Sequence, residues 1–219
     1  MVELIIYFEK LFDRVGADIL FYNSNENQHG LAHDPFKAIV APRPIGWIGS
    51  KGADGSLNLA PYSFFNAIAD DPKLVMFASG GKKDSVRNCE ETGVFSVNMV
   101  GFSQVDAMNQ SSAPYDHGVD EFEKSGLASR QCELIDAPLV VGAFAVLECK
   151  VTDIIRPKTI DGEHPGAYLV TGQVMGIHIR DDAIVDGRIS ADKTQTVSRL
   201  GYMDYAVVKD VFEIKRPKL

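Results

Sequence analysis

"APRPIGWIGSKGADGSLNLAPYSFFNA", Ala41 to Ala67, is the stretch on which the fold turns. It carries three glycines, Gly49, Gly52 and Gly55, in the spacing GxxGxxG. A dinucleotide fingerprint needs GxGxxG between a strand and a helix, and a Walker loop needs GxxxxGK followed by Ser or Thr. Neither is present. Two short apolar segments, Ile45–Ser50 and Leu57–Pro61, flank the polar middle. Asp54-Gly55 supplies a turn between them, because glycine takes positive φ at little cost and such pairs favour tight hairpins. The glycines punctuate a β-hairpin; they do not cradle a phosphate.

Downstream, the same strand-like patterning continues. Leu74–Ser79 and Val94–Val100 are short candidates rich in Val, Phe and Met. Ala143–Ile154 and Ala167–Ile179 are longer and rich in β-branched residues, and Tyr205–Ile214 reads as a last strand. Helices are few: Ser85–Glu91, with Asp84 or Ser85 as N-cap and Gly93 past its end, then Ser103–Asn109 and Asp120–Ser125. Many strands with few helices argue against a βαβ sheet and point to a mainly β barrel or sandwich.

The 219 residues suffice for one large domain, and 45% are hydrophobic, enough for a core. A net charge of −8 argues against a nucleic-acid surface. Cys89, Cys132 and Cys149 are odd in number, far apart and form no CxxC, so neither a disulfide scaffold nor a structural zinc site is expected. Residues 1–22 read as an amphipathic helix or an N-terminal extension, and residues 23–219 as the domain. Acidic and basic residues interrupt the apolar positions of the first segment, so no run spans a bilayer, and the layout of a signal peptide is absent. A soluble, cytoplasmic protein without a membrane or nucleic-acid partner is expected.

Three pieces in order, "PRPIGWIGS", "DGSLNLAPYSFF" and "KKDSVRNCEETGVFSVN", together with "DEFEKSGL" and "SRLGYMDYA", resemble the flavin reductase-like family with the FMN-binding split-barrel fold. The resemblance covers about residues 30–210. It implies a mainly β split barrel with Greek-key topology and a few peripheral helices, usually a homodimer with flavin at its interface. The implied activity is NAD(P)H-dependent reduction of FMN by hydride transfer to the flavin N5, as in flavoredoxin-like proteins or the reductase component of a two-component monooxygenase, with an oxygenase as partner. Two alternatives stay open: a protein that holds FMN tightly and acts directly on a small substrate, and a non-catalytic flavin-binding protein.

Hydride chemistry resides in the cofactors, so no catalytic side chain and no metal is expected, only FMN and NADH or NADPH held in place. By resemblance, Ser50 lies near the ribityl or phosphate, and Asn58, Ala60 (through its N–H) and Ser63 lie along the ring edge. Turn or strand-end hydrogen bonding is the alternative for Asn58 and Ser63. Ser79, Lys83 and Ser85 gather at a helix start, where free N–H groups, a cation and a hydroxyl suit a phosphate; an ordinary capped surface helix is the alternative. Asp84 opposes a phosphate and suits capping. Arg43, between two prolines, could meet phosphate or a carboxylate of a second subunit, and Arg199 is a similar case near the flavin. Trp47 suits the core or ring stacking. His29 and His33 have helical metal spacing, but Gly30 and Pro35 deny the helix, so a metal site is not expected. His117 lies in "SAPYDHGVDEF", a candidate lid. The resemblance departs at Gly49, where relatives often carry Ser or Thr, and at Ala167, where shorter reductases often carry a His.

Overall fold

A computed structural model describes residues 19–217 of the chain. The expectation for residues 1–22 falls largely outside the described residues; Ile19–Tyr22 are neither helix nor strand.

In chain order the elements are α1 (Phe36–Ile39), β1 (Arg43–Pro44), β2 (Gly46–Lys51), β3 (Leu57–Tyr62), β4 (Phe65–Asp70), β5 (Lys73–Ser79), α2 (Asp84–Thr92), β6 (Val94–Met99), α3 (Val105–Gln110), α4 (Glu121–Lys124), β7 (Ser129–Gln131), β8 (Pro138–Val140), β9 (Ala145–Ile155), β10 (Tyr168–Ile179), β11 (Ile184–Val185), β12 (Arg188–Ile189), α5 (Ala191–Thr194), β13 (Val197–Arg199) and β14 (Tyr205–Val207). Seven strands form one antiparallel sheet in the order β3-β2-β6-β9-β10-β5-β4. It curls into a half-barrel, so Tyr62 of β3 meets Phe77 of β5 with ring centroids 4.9 Å apart. The fold is the mainly β split barrel that the sequence implies.

The opening stretch is the β2–β3 hairpin. Ser50 faces Asn58 across it. Gly52 N–H donates to Ser56 O at 2.8 Å, Asp54 Oδ1 accepts from Ser56 N–H at 2.9 Å, and Gly55 sits at φ 91°. An Asx turn and a left-handed glycine therefore close the loop.

Period-two alternation places β2 between two cores. Ile45, Trp47 and Leu59 pack with Met108 and Phe122 on one side. Ile48, Tyr62, Phe77, Phe95, Cys149 and Val170 fill the other, capped by Val86 and Cys89 of α2. Trp47 is a core residue, fully buried, and its indole N–H donates to Ser111 Oγ at 2.8 Å. All three cysteines are free and buried, and burial pushes the Cys132 thiol up to about 12.

Two strand readings need correction. The last strand ends at Val207 and does not reach Ile214. Val211, Phe212 and Ile214 are exposed and find no partner strand among the described residues. In addition, β4 has no signature in the sequence pattern, since only Phe65 of its six residues is buried.

Buried Glu148 of β9 ties together His178 of β10 and the Glu133–Leu134 loop. Burial raises its pKa, but hydrogen bonds from His178 at 2.5 Å and from the N–H groups of Glu133 and Leu134 outweigh that and leave it below its ordinary value.

Gly49 explains one departure from the family pattern. A Cβ there would meet Pro138 O and Ser96 Oγ at 2.5 Å. The position faces the β8 side of the sheet, away from Ser50 and its partners. Gly49→Ser is expected to destabilise the protein by about 1–3 kcal/mol with no gain in flavin affinity, checked by urea denaturation and a flavin titration.

Candidate functional site

The site grows from a polar junction between the hairpin and α2. Asn58 donates from its amide to Ser50 Oγ at 3.1 Å and to Ser85 Oγ at 2.9 Å, and Asn88 donates to Ser50 Oγ at 3.1 Å. All four side chains are buried. Of the residues singled out in the sequence, Ser50, Asn58 and Ser85 are thus brought together; Asn88, which completes the network, carries no signal of its own in the sequence.

This junction fixes the start of α2 beside β3. The helix opens at Lys83 with no capping side chain. Its first N–H groups and the Lys83 ammonium therefore remain available to an anion. Asp84 does not cap the helix. Its carboxylate accepts from Arg87 at 2.6 Å and lies 2.8 Å from His117 Nδ1, and Gly118 N–H donates to it at 3.3 Å. Those contacts engage the Asp84 carboxylate, which still lines the cavity above the junction, and tie the 111–120 segment to α2. Ser79 Oγ donates to Gly81 O at 2.7 Å, which shapes the Gly80-Gly81 approach to the helix. Tyr62 Oη is buried without a hydrogen-bond partner. Burial raises its pKa, and Ser85 and Ser79 are its polar neighbours.

A cavity of about 340 Å³ opens above this junction, lined by Asn58, Ala60, Lys83, Ser85 and Glu121 and roofed by Ser111–Tyr115 and His117. A second, of about 360 Å³, is lined by Arg43, Ser63 and Arg199. The two share Pro61 and Ser112, so they are halves of one groove along β3. Asn58 to Ser63 spans about 16 Å at strand geometry.

That strand is an outer strand of the sheet. Leu59 N–H points away from β2 and donates to Glu121 Oε2 at 2.9 Å. Ala60, one residue on, therefore turns its N–H toward Ile48 in the ladder, so that donor is spent within the sheet. Glu121 is a site residue that the sequence does not single out. Burial is the main cause that holds its pKa above the ordinary carboxylate value, reinforced by Asp84 and Asp120, and the Leu59 N–H works against it.

Arg43 is placed by β1, whose pairing sets it opposite Arg199 of β13. Its guanidinium donates to the carbonyls of Lys37 and Val40, to Leu200 O at 2.8 Å and to Ser63 Oγ at 3.4 Å. It binds the α1 loop to the C-terminal hairpin and has little donor capacity left for a phosphate. Arg199 donates to Tyr202 O at 2.5 Å and lies over the Tyr205 ring, 4.4 Å from its centroid. Ser63 lines this half of the groove, apart from Asn58 and Ser85. His29 accepts from Leu31 N–H, and His33 packs against Tyr202. No helix among the described residues is long and apolar enough to cross a membrane.

A profile described as "Flavin reductase like domain" matches residues 40–197. The chain belongs to the flavin reductase-like family. It is 34% identical to an uncharacterized protein of Halalkalibacterium halodurans over 82% of this chain and 88% of that one. Among solved structures it is similar to nitrilotriacetate monooxygenase component B from Bacillus cereus, with 30% identity, 91% of this chain and 100% of that one covered and a TM-score of 0.82. It is also similar to the 2-nitrobenzoate 2-nitroreductase of Pseudomonas fluorescens, with 28% identity, 87% and 94% covered and a TM-score of 0.75. Flavoredoxin of Desulfovibrio vulgaris shares the fold at 19% identity, with 79% and 90% covered and a TM-score of 0.70. These likenesses support a flavin oxidoreductase.

The position of Glu121 has a consequence for stability. A carboxyl whose pKa is raised on folding binds more protons in the native state, so stability falls as pH rises from the unfolded to the folded pKa. Glu121→Gln keeps an oxygen for Leu59 N–H and removes the charge. It is expected to raise the urea midpoint of the flavin-free protein at pH 8 and to flatten the fall in stability above pH 4.5, the ordinary value. An unchanged midpoint and slope would refute this reading of Glu121.

Proposed function

We propose that the Lys83 half of the groove along β3, from Asn58 to Pro61, binds FMN and that the protein is an NAD(P)H-dependent flavin reductase. The observation that carries the reading is the uncapped start of α2 with Lys83 and Ser85 at one end of that cavity. The donor set suits the cofactor: a cation, a hydroxyl and free helical N–H groups for a phosphate, then a polar-to-apolar wall. The buried, unpartnered Tyr62 Oη beneath the same cavity adds a hydroxyl with spare hydrogen-bonding capacity.

FMN, when bound, supplies the N5 atom that accepts a hydride from the nicotinamide. The chain's own task is placement. Lys83 and the first turn of α2 neutralise the phosphate. Asn58 holds Ser50 and Ser85 in fixed orientations, so the phosphate end is set by the hairpin. Glu121 occupies the outward N–H of Leu59. The 111–120 segment, latched by His117 to Asp84, covers the cavity against water. Ala60 and Pro61 offer the ring an apolar edge.

A homodimer is part of this proposal. Met175, Ile177 and Ile179 are partly exposed on one face of β10, and the neighbouring residues Ile184, Val185 and Ile189 are exposed too. An apolar strip of that kind marks an association surface. Reduced flavin would pass to a partner oxygenase, a reading favoured by the likeness to a monooxygenase component in Bacillus cereus. The 2-nitrobenzoate 2-nitroreductase relative favours a second reading, in which the held flavin reduces a small organic substrate directly.

An absorbance spectrum of the purified protein after FMN addition, followed by anaerobic NADH or NADPH, tests the proposal. Flavin bands that co-purify or are retained on gel filtration, and that bleach with either nucleotide, are the expected result. Retained bands that never bleach would leave only a flavin carrier, and a protein that takes up no FMN would remove the flavin reading. Replacing Lys83 and Ser85 together by Ala is expected to weaken FMN binding by about 1–3 kcal/mol, read by fluorescence titration. The homodimer is checked by light scattering.

A further inference from the structure

The Arg43 half of the groove has an electrostatic character unlike the rest of the chain. The protein carries a net charge of −8, yet Lys37, Arg43 and Arg199 all line this cavity, and no Asp or Glu does. Arg43 and Arg199 are paired in register across β1 and β13, so the fold itself sets two guanidinium groups side by side. Arg43 feels this: burial first, and then the Arg199 charge, hold its pKa below the ordinary value. Lys37 has no carboxylate partner among the described residues. Three cations gathered without a counter-charge destabilise the free protein, and an anion seated among them removes that cost.

The form of the anion follows from the donors and the walls. The N–H groups of Arg43 are largely spent on main-chain carbonyls, so it offers charge and few hydrogen bonds. Arg199 has used one amino group on Tyr202 O. A pyrophosphate, with many acceptor oxygens, would find too few donors. The remaining lining is mixed: Ile45, Pro61, Met108 and Tyr205 are apolar or aromatic, and Ser63, Asn109 and Ser112 are polar. A single carboxylate on a small organic body meets both conditions.

We propose that this cavity binds the carboxylate of a small organic acid, seated beside the flavin site across Pro61 and Ser112. Lys37 and Arg199 hold the carboxylate, Arg43 adds its field, and Ile45, Met108 and Tyr205 contact the body. For what the acid lies next to, the proposal rests on the flavin reading.

The test is a calorimetric titration of the FMN-loaded protein with benzoate, with its neutral isostere benzamide and with inorganic pyrophosphate, with flavin absorbance recorded on the same samples. Benzoate is expected to bind at least about tenfold more tightly than benzamide, as a charge-assisted pair requires. Lys37→Met and Arg199→Met are each expected to reduce that preference. Lys37 lies at the surface on α1, so its variant tests the proposal even if Arg199→Met fails to fold. Equal binding of benzoate and benzamide, no binding of either, or tighter binding of pyrophosphate than of benzoate would overturn the proposal. A protein that holds no FMN but still prefers benzoate would instead overturn the flavin reading and leave this cavity assignment standing.

Discussion

One amide governs the geometry of the whole site. Asn58 spends both of its N–H donors on hydroxyls from two different elements, Ser50 on β2 and Ser85 on α2. A buried polar group left unpaired costs about 1–3 kcal/mol, so any shift of the helix relative to the hairpin carries that penalty several times over. The helix start, with Lys83 and its uncapped N–H groups, is therefore held at a fixed place along β3. Everything the groove can bind is measured from that point. Asn88 reinforces the lock from within the same helix.

What could be read from the sequence was local. The Asp54-Gly55 turn closes through contacts no more than four residues apart, and the alternation of Trp47 and Ile48 between two cores follows from strand period alone. Ser50 and Asn58 were legible through the family resemblance, and Ser85 through the helix start at which it stands. The bonding of Arg43 was not. Its partners include Leu200 O, 157 residues away, and no local pattern announces a carbonyl at that distance. Glu121 was hidden for the same reason, since it closes a strand edge 62 residues earlier in the chain. The strand β4 escapes the pattern because its exposed residues show no alternation. The last strand, β14, reads too long because apolar residues continue past the point where its partner ends.

Charge is divided along the groove in a way that net composition conceals. Around α2 the acidic side chain nearest the helix start is paired with Arg87 and lies against His117, and Lys83 has no carboxylate partner among the described residues. At the other end, Arg43 and Arg199 stand together without a carboxylate in the cavity wall. Between them lies Glu121, buried and held to a main-chain N–H. The sequence is acidic in its totals, yet the groove along β3 carries cations at both ends, Lys83 at one and Lys37, Arg43 and Arg199 at the other.

The outer flank of β3 also bears on what can pair with the sheet. An outer strand with unpaired N–H groups is a template on which another chain can add a strand. Here two of the outward positions are blocked: the Glu121 carboxylate occupies Leu59 N–H, and Pro61 has none to offer. Strand addition along the flank that borders the ligand groove is thus interrupted at Leu59 and Pro61 whether or not a ligand is present, which denies another chain a continuous template.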